Sequence, residues 1–261
     1  MFYGLASGRV PTNGLQYEHI LRDIQTLNDW AKEGKLDTTA ISVHAYAYVA
    51  DKYAILTHGA SMGEREYGPI VVARDAVDAA KLHGATIAVP GLMTSAYLAL
   101  RLCVGDFTPV VMPFDTIMEA VAQGRADYGL LIHEGQLTHA SLGLSSIVNL
   151  GTWWYETTGL PLPLGVNTIR RDLPEEVKRD ASRQLRASIE FGLANRADAL
   201  QWAMQYARGL ATSTADKFVG MYVNSRTVDM GEEGRSSIRL FLRCGVDAGM
   251  VPDVGEIDFV G

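Results

Sequence analysis

The chain is short of cysteine, of contiguous positive charge and of long apolar runs, and each shortage closes off a class of functions. Its 261 residues include two cysteines, Cys103 and Cys244. Two scattered thiols do not make a disulfide scaffold, and neither stands at metal-ligand spacing from a histidine, so they suit a reducing cytosol and a cytoplasmic location is expected. The formal net charge is −7, with no run of lysine or arginine. Phosphate contacts require a basic face, so no nucleic-acid partner is expected. No apolar stretch approaches the roughly 18 residues of a membrane span, and the N-terminus lacks a basic segment followed by an apolar one, so neither a membrane partner nor a signal peptide is expected.

Several chemical signatures are also missing. There is no Gly-x-Gly-x-x-Gly after a strand, no Walker-type phosphate loop, no His-Glu-x-x-His and no Gly-x-Ser-x-Gly. The histidines at 19, 44, 58, 83, 133 and 139 do not pair at metal spacing. Chemistry without metal or cofactor is therefore expected, with a histidine moving protons and hydroxyls supplying hydrogen bonds to a small-molecule substrate.

What is present is a globular chain, 48% hydrophobic and 20% charged, large enough for one big core or two smaller ones. Strands predicted at 15–20, 38–42, 53–57, 69–74, 86–89, 109–113, 128–132, 147–150 and 166–169 alternate with helices, which argues for an α/β fold with mostly parallel strands. Asp23 is a good N-cap for a helix that carries Ile24, Leu27, Trp30 and Ala31 on one face and closes at Gly34. Further helices are expected at 96–103, 116–123, 175–208, 213–222 and 232–244. The glycine-containing stretches 58–68 and 138–144 and the proline-rich 159–165 read as loops. The return from strands to helices suggests two lobes with a cleft between them.

Candidate chemistry gathers at two places. His133 follows the apolar run 128–132, at the carboxyl end of a strand, where open α/β sheets hold their ligands. Its titration range suits a general base, and a strand-capping histidine is the alternative. Glu134 beside it either tunes that histidine or caps a turn. Thr94 and Ser95 head a helix directly after the strand 86–89, and Ser42 heads another after 38–42. Hydroxyls and free amides at such starts suit a carboxylate or hydroxyl-rich ligand, or are simple caps. Trp153, Trp154 and Tyr155 either line a pocket for a flat ring or pack in the core.

Several segments together resemble one family. They include His44-Ala45-Tyr46-Ala47-Tyr48-Val49 with Asp51-Lys52-Tyr53, Gly59-Ala60-Ser61-Met62-Gly63, and Val89-Pro90-Gly91 with Thr94-Ser95-Ala96-Tyr97. They continue through Gly129-Leu130-Leu131-Ile132-His133-Glu134, Gly159-Leu160-Pro161-Leu162-Pro163-Leu164-Gly165, and Tyr222-Val223-Asn224 with Gly231-Glu232-Glu233-Gly234. The chain resembles the 1,4-dihydroxy-6-naphthoate synthase family of the futalosine route to menaquinone, in the wider group that also holds chorismate dehydratase and resembles periplasmic solute-binding proteins.

That resemblance implies a two-lobed, periplasmic-binding-like (type II) fold, with 1–73 and 166–261 forming one lobe and 74–165 the other. It implies a carbon-carbon lyase, monomeric or homodimeric, that cleaves cyclic dehypoxanthine futalosine to a dihydroxynaphthoate and a small sugar-derived fragment. His133 would be the general base, with substrate contacts at Ala40, Ile41 and Ser42, at Thr94, Ser95 and Ala96, and at Glu134. A dehydratase of the sister type and a solute-binding protein without chemistry are the alternatives.

Two departures from the family pattern are visible. Where members often carry Thr-Lys-Leu-Ser, this chain has Thr39-Ala40-Ile41-Ser42, so a cation for the substrate carboxylate is missing. Met1-Phe2-Tyr3-Gly4 corresponds to what usually follows a first strand and a polar loop, so the first lobe is expected to lack a central strand and to be poorly soluble.

Overall fold

A computed structural model of the chain describes residues 1–206 and 211–261. The chain starts with one helical turn, α1 (Tyr3–Ala6), runs irregularly to Asp23, and continues through α2 (Ile24–Lys32), β1 (Thr38–Ser42), α3 (Val43–Tyr46), β2 (Tyr53–Leu56) and β3 (Ser61–Gly63). Next come β4 (Ile70–Ala73), β5 (Thr86–Val89), α4 (Ser95–Val104), β6 (Thr108–Val111), α5 (Ile117–Ala122), β7 (Tyr128–Leu131), α6 (Gly135–Thr138), β8 (Ser145–Asn149) and α7 (Leu150–Thr158). β9 (Leu162–Arg170) is followed by α8 (Glu175–Ala194), α9 (Arg196–Met204), α10 (Thr212–Tyr222), α11 (Ser225–Val228), α12 (Gly231–Asp247) and β10 (Phe259–Val260).

The strands form two five-stranded sheets. One has the order β1-β9-β2-β10, with β3 also on β9, and the other has the order β6-β5-β7-β4-β8. The expected α/β class holds, but the expectation of mostly parallel strands is corrected. Only β10–β2, β5–β6 and β5–β7 run parallel, whereas β9 is antiparallel to β1, β2 and β3, and β4 is antiparallel to β7 and β8. Runs such as Ile70–Ala73 are buried on both faces, and a doubly buried run reads the same whichever way its neighbour points.

The strand 70–73 also lies on the far side of the expected boundary at residue 73, because it pairs with β7 and β8 in the second sheet. β9 begins before residue 166, within the proline-rich stretch read as a loop. Pro163 sits there opposite Met62, beside a register shift between Ser61 and Met62, and such an irregularity is where a strand tolerates proline. The expected strand at 15–20 is absent. Its alternation instead docks Tyr17 on α8, where the phenol donates to Gln184 Oε1 at 2.7 Å. The single helix expected over 175–208 breaks at Asn195 between α8 and α9, and residues 207 and 208 lie outside the described residues.

One continuous core joins the two sheets. It runs from Ile41, Val43 and Ile55 through Val71, Ile87 and Val89 to Leu98, Leu100 and Phe241. Trp154 is packing rather than pocket. Its ring meets Phe241 edge-on at 5.4 Å, and its Nε1 donates to Ser237 Oγ at 3.1 Å.

Two features position the site. Because β5 and β7 are parallel neighbours, the loops after Val89 and Leu131 leave from the same sheet edge. Gly129 lets α5 lie close on β7, since a Cβ there would stand 2.6 Å from Ile117 Cγ2 and 2.8 Å from Val121 Cγ2. Gly129→Ala is expected to lower stability by about 1–3 kcal/mol through overpacking, read as a lower denaturant midpoint.

His44 on α3 is 4% exposed. Its Nδ1 lies 3.2 Å from the Thr94 carbonyl, an acceptor, so Nδ1 carries the proton and the buried Nε2 has no partner. Burial pushes its pKa down from 6.5 to about 4, with the Thr94 carbonyl opposing. Between those values the unfolded chain binds the extra proton, so stability is full above about pH 6.5 and is lost as pH falls toward 4. His58 and His133, also depressed by burial, add in the same direction. Urea titrations at pH 7 and pH 4.5 should differ by an amount that shrinks by up to about 3 kcal/mol in His44→Gln.

Candidate active site

The ends of β1 and β5 meet over α2. Asn28, fully buried on that helix, accepts the Ser42 N–H through Oδ1 at 2.8 Å and donates from Nδ2 to Ser42 Oγ at 3.1 Å. The same Nδ2 reaches the Met93 carbonyl at 3.4 Å, and Gln25 Oε1 accepts the Met93 N–H at 3.4 Å. One helix face thus holds the loop after β5 against the end of β1.

A cavity of about 310 Å³ opens beside this joint. Ala40, Ile41 and Ser42 from β1, Thr94, Ser95 and Ala96 from the start of α4, Ile132, Gly165 and Asn167, and Phe218 and Tyr222 from α10 all border it. Both sheets therefore contribute to its wall. No lysine, arginine, aspartate or glutamate side chain does so among the described residues.

The aliphatic hydroxyls on the wall, those of Ser42, Ser61, Thr94 and Ser95, are not equivalent. Thr94 Oγ1 donates to the Gly91 carbonyl at 3.0 Å and accepts the Tyr97 N–H at 3.2 Å. Ser95 Oγ donates to the Leu164 carbonyl at 2.5 Å and accepts the His44 N–H at 3.2 Å. Both protons are spent inside the protein. Ser42 Oγ accepts from Asn28, and its own proton has no acceptor among the described residues. The N–H groups of Ser95 and Ala96, in the first turn of α4, are likewise without partners there. The Ser42 O–H and the Ser95 and Ala96 N–H groups thus stand together as uncommitted donors, with the Ser61 hydroxyl elsewhere on the wall, an arrangement suited to an oxyanion.

Sequence reasoning brought together Ala40, Ile41, Ser42, Thr94, Ser95 and Ala96, and the structure does the same. His133 and Glu134 are placed otherwise. Ile132 lines the cavity, but His133 packs edge-on against Phe114 at 5.6 Å with its side chain 11% exposed. Its Nδ1 accepts the Gly135 N–H at 2.9 Å, so the neutral ring carries its proton on the buried Nε2, which makes no hydrogen bond of normal geometry. Burial lowers the His133 pKa, while the Glu134 carboxylate, 3.8 Å from Nδ1, and the Phe114 backbone oppose it. Glu134 and Phe114 border a neighbouring cavity of about 430 Å³, and Phe218 lies on both.

Sequence reasoning missed four contributors. Tyr222 borders the cavity and donates to Gln136 Oε1 at 2.7 Å, and burial raises its pKa far above the usual phenol range. Its oxygen is therefore an acceptor toward the cavity, on a wall shared with the turn that carries His133. Asn167 donates to the Gly59 carbonyl at 2.9 Å from β9, and Phe218 closes the apolar side. Asn28 did have a signal, because it follows Ile24 and Leu27 at helical spacing, on the stripe that should be apolar. No group of three or more His, Cys, Asp or Glu that could hold a metal occurs among the described residues.

1,4-Dihydroxy-6-naphthoate synthase from Thermus thermophilus is 43% identical over 242 residues, covering 92% of this chain and 88% of that one. The crystal structure of protein AF1704 from Archaeoglobus fulgidus superposes with a TM-score of 0.91 at 46% identity, over 96% of this chain and 93% of that one. The alkanesulfonate-binding protein SsuA from Xanthomonas axonopodis pv. citri, at 13% identity and a TM-score of 0.65 over 88% of this chain and 82% of that one, shares the fold alone. The fold is therefore periplasmic-binding-protein-like. A family model described as menaquinone biosynthesis matches residues 1–247, and the chain belongs to that family.

Proposed function

We propose that the protein is a carbon-carbon lyase that converts cyclic dehypoxanthine futalosine to 1,4-dihydroxy-6-naphthoate, working in the cytoplasm on the futalosine route. The observation that carries this reading is the cavity wall that joins an apolar side to the unspent donors of Ser42, Ser95 and Ala96, in a chain whose relative from Thermus thermophilus is named for that synthesis. An aryl carboxylate has both parts. Its ring lies against residues such as Phe218, Ile132 and Leu164, and its oxygens take the donors.

The reaction reads as a base-initiated cleavage. His133 removes a hydroxyl proton from the sugar-derived part, the oxygen's electron pair becomes a carbonyl as the adjacent carbon-carbon bond breaks, and the released pair restores aromaticity in the ring. In the resting ring Nδ1 is occupied by the Gly135 N–H and Nε2 holds the proton. Base chemistry therefore requires the His133–Gln136 turn to shift, so that one nitrogen presents a lone pair. Glu134 stabilises the imidazolium that results.

Two measurements test this. His133→Ala should lower turnover of cyclic dehypoxanthine futalosine by about a hundredfold or more, as loss of a general base does. A parent protein that binds the compound and leaves it intact would instead support a binding role. Glu134→Gln removes the charge that holds the His133 pKa up, so the acid limb of the rate profile should move to lower pH. An unchanged profile would limit Glu134 to a structural role.

A further inference from the structure

The proton on Ser42 Oγ, like that of Ser61 across the cavity wall, has no acceptor among the described residues, and at Ser42 its direction is set from behind. The Ser42 backbone N–H can only donate, so the Asn28 atom 2.8 Å from it must be the amide oxygen. That fixes the orientation of the amide and leaves Nδ2, at 3.1 Å, to donate to Ser42 Oγ. The hydroxyl is thereby held as an acceptor toward Asn28 and as a donor on its other side. Asn28 has no exposure and Ser42 is 3% exposed, so the bonds between them are shielded from bulk solvent. With no lysine or arginine side chain on the cavity wall, and with burial lowering the pKa of the Met1 amino group that borders it, the direction in which the neutral groups point contributes to discrimination for an anion.

We propose that Asn28 is a positioning residue that sets the polarity of Ser42, and through it makes the cavity select a carboxylate over its uncharged carboxamide. The carboxylate accepts the Ser42 O–H together with the Ser95 and Ala96 N–H groups. A carboxamide must turn its NH₂ toward at least one of these donors and leave that pair unmade. This inference rests on the aryl-carboxylate reading of the cavity given above, and it adds the residue that enforces it and the ligand class it excludes. Asn28 touches no ligand and acts only through Ser42 and the Met93 carbonyl.

Replacing Asn28 by its isostere aspartate reverses the device. One carboxylate oxygen still takes the Ser42 N–H, the other can only accept from the Ser42 hydroxyl, and lone pairs then face the cavity. The probes are 2-naphthoate and 2-naphthamide, titrated calorimetrically into the full chain from pH 5.5 to 8.5. The parent should prefer the naphthoate at every pH. In Asn28→Asp the preference should fall by about tenfold to a hundredfold, the weight of one hydrogen bond to a charged group, and the fall should grow with pH as the introduced carboxyl loses its proton.

Ser42→Ala should lose the preference alone and make the Asn28→Asp change silent when the two are combined. It also provides the test if the buried aspartate prevents folding. Equal loss of both probes, additive losses in the double variant, or a parent that does not prefer naphthoate would each overturn the proposal. The lyase reading falls separately. Retained discrimination in a protein that does not turn over cyclic dehypoxanthine futalosine would leave this inference standing and remove that one.

Discussion

The structure depends on a buried polar joint where the two sheets meet. At the ends of β1 and β5 the chain turns inward, and its backbone amides and carbonyls must find partners away from water or cost about 1–3 kcal/mol each. Asn28 and Gln25 on α2 satisfy Ser42 and Met93 from one side. Ser95 satisfies His44 and Leu164 from the other. These contacts are not interchangeable with apolar packing, because each links groups from different elements. The apolar core that runs through both sheets supplies the bulk of the burial. The polar joint fixes how the sheet edges face each other, and hence the shape of the cavity.

Meeting that demand leaves little to spare, and what is spare defines the ligand. Thr94 and Ser95 look like binding hydroxyls in sequence, yet both are consumed in building the start of α4. Their contribution to the cavity is backbone: a helix start held so that its first amides stay unpaired. Ser42 keeps its proton because Asn28 gives to it and asks for nothing from the hydroxyl. Recognition of an oxyanion by such neutral donors needs no buried counter-ion, whose own desolvation would offset much of its attraction. In the proposed reading these neutral donors do the work of the lysine that the resembled family often carries at the position of Ala40. The dipoles are already aligned by the fold, and the ligand need not reorganise them.

The sequence made the elements legible more clearly than their pairing. Asp23 caps α2 as its side chain suggests, and the strand ends at or before Ser42 and His133 and the helix start capped by Thr94 fall within a residue or two of the expected positions. Strand direction was not legible, because Val-Val-Ala or Tyr-Ala-Ile-Leu buried on both faces carries no mark of its neighbour's orientation. The prolines at 161 and 163 signalled a loop, and only a register shift on the partner strand makes room for Pro163 inside β9. In the site, residue types were readable and hydrogen-bond commitments were not. Whether a serine proton is free depends on a carbonyl 69 residues away in the case of Ser95. Asn28 is the instructive omission, since a lone amide on an apolar stripe marks either a fault or a buried obligation, and here it is the latter.

His133 shows the difference between being near a cavity and being ready to act in it. Its strand end lies beside that of β5, as a parallel pairing requires, yet the ring folds back on its own turn, where the Gly135 N–H occupies the lone pair that a base would use. Such a ring has its acceptor nitrogen occupied and its charged form disfavoured by burial, so in the resting state it is chemically quiet. The turn is not isolated from the cavity. Gln136, two residues from Glu134, is held by the Tyr222 hydroxyl, and Tyr222 is part of the cavity wall. A ligand that displaces Tyr222 by a fraction of an ångström therefore acts on the same turn that binds the imidazole. A ligand can shift that turn only by the difference in its affinity for the two arrangements. Any base chemistry at His133 thus draws its driving force from contacts made at the donors around Ser42 and the start of α4.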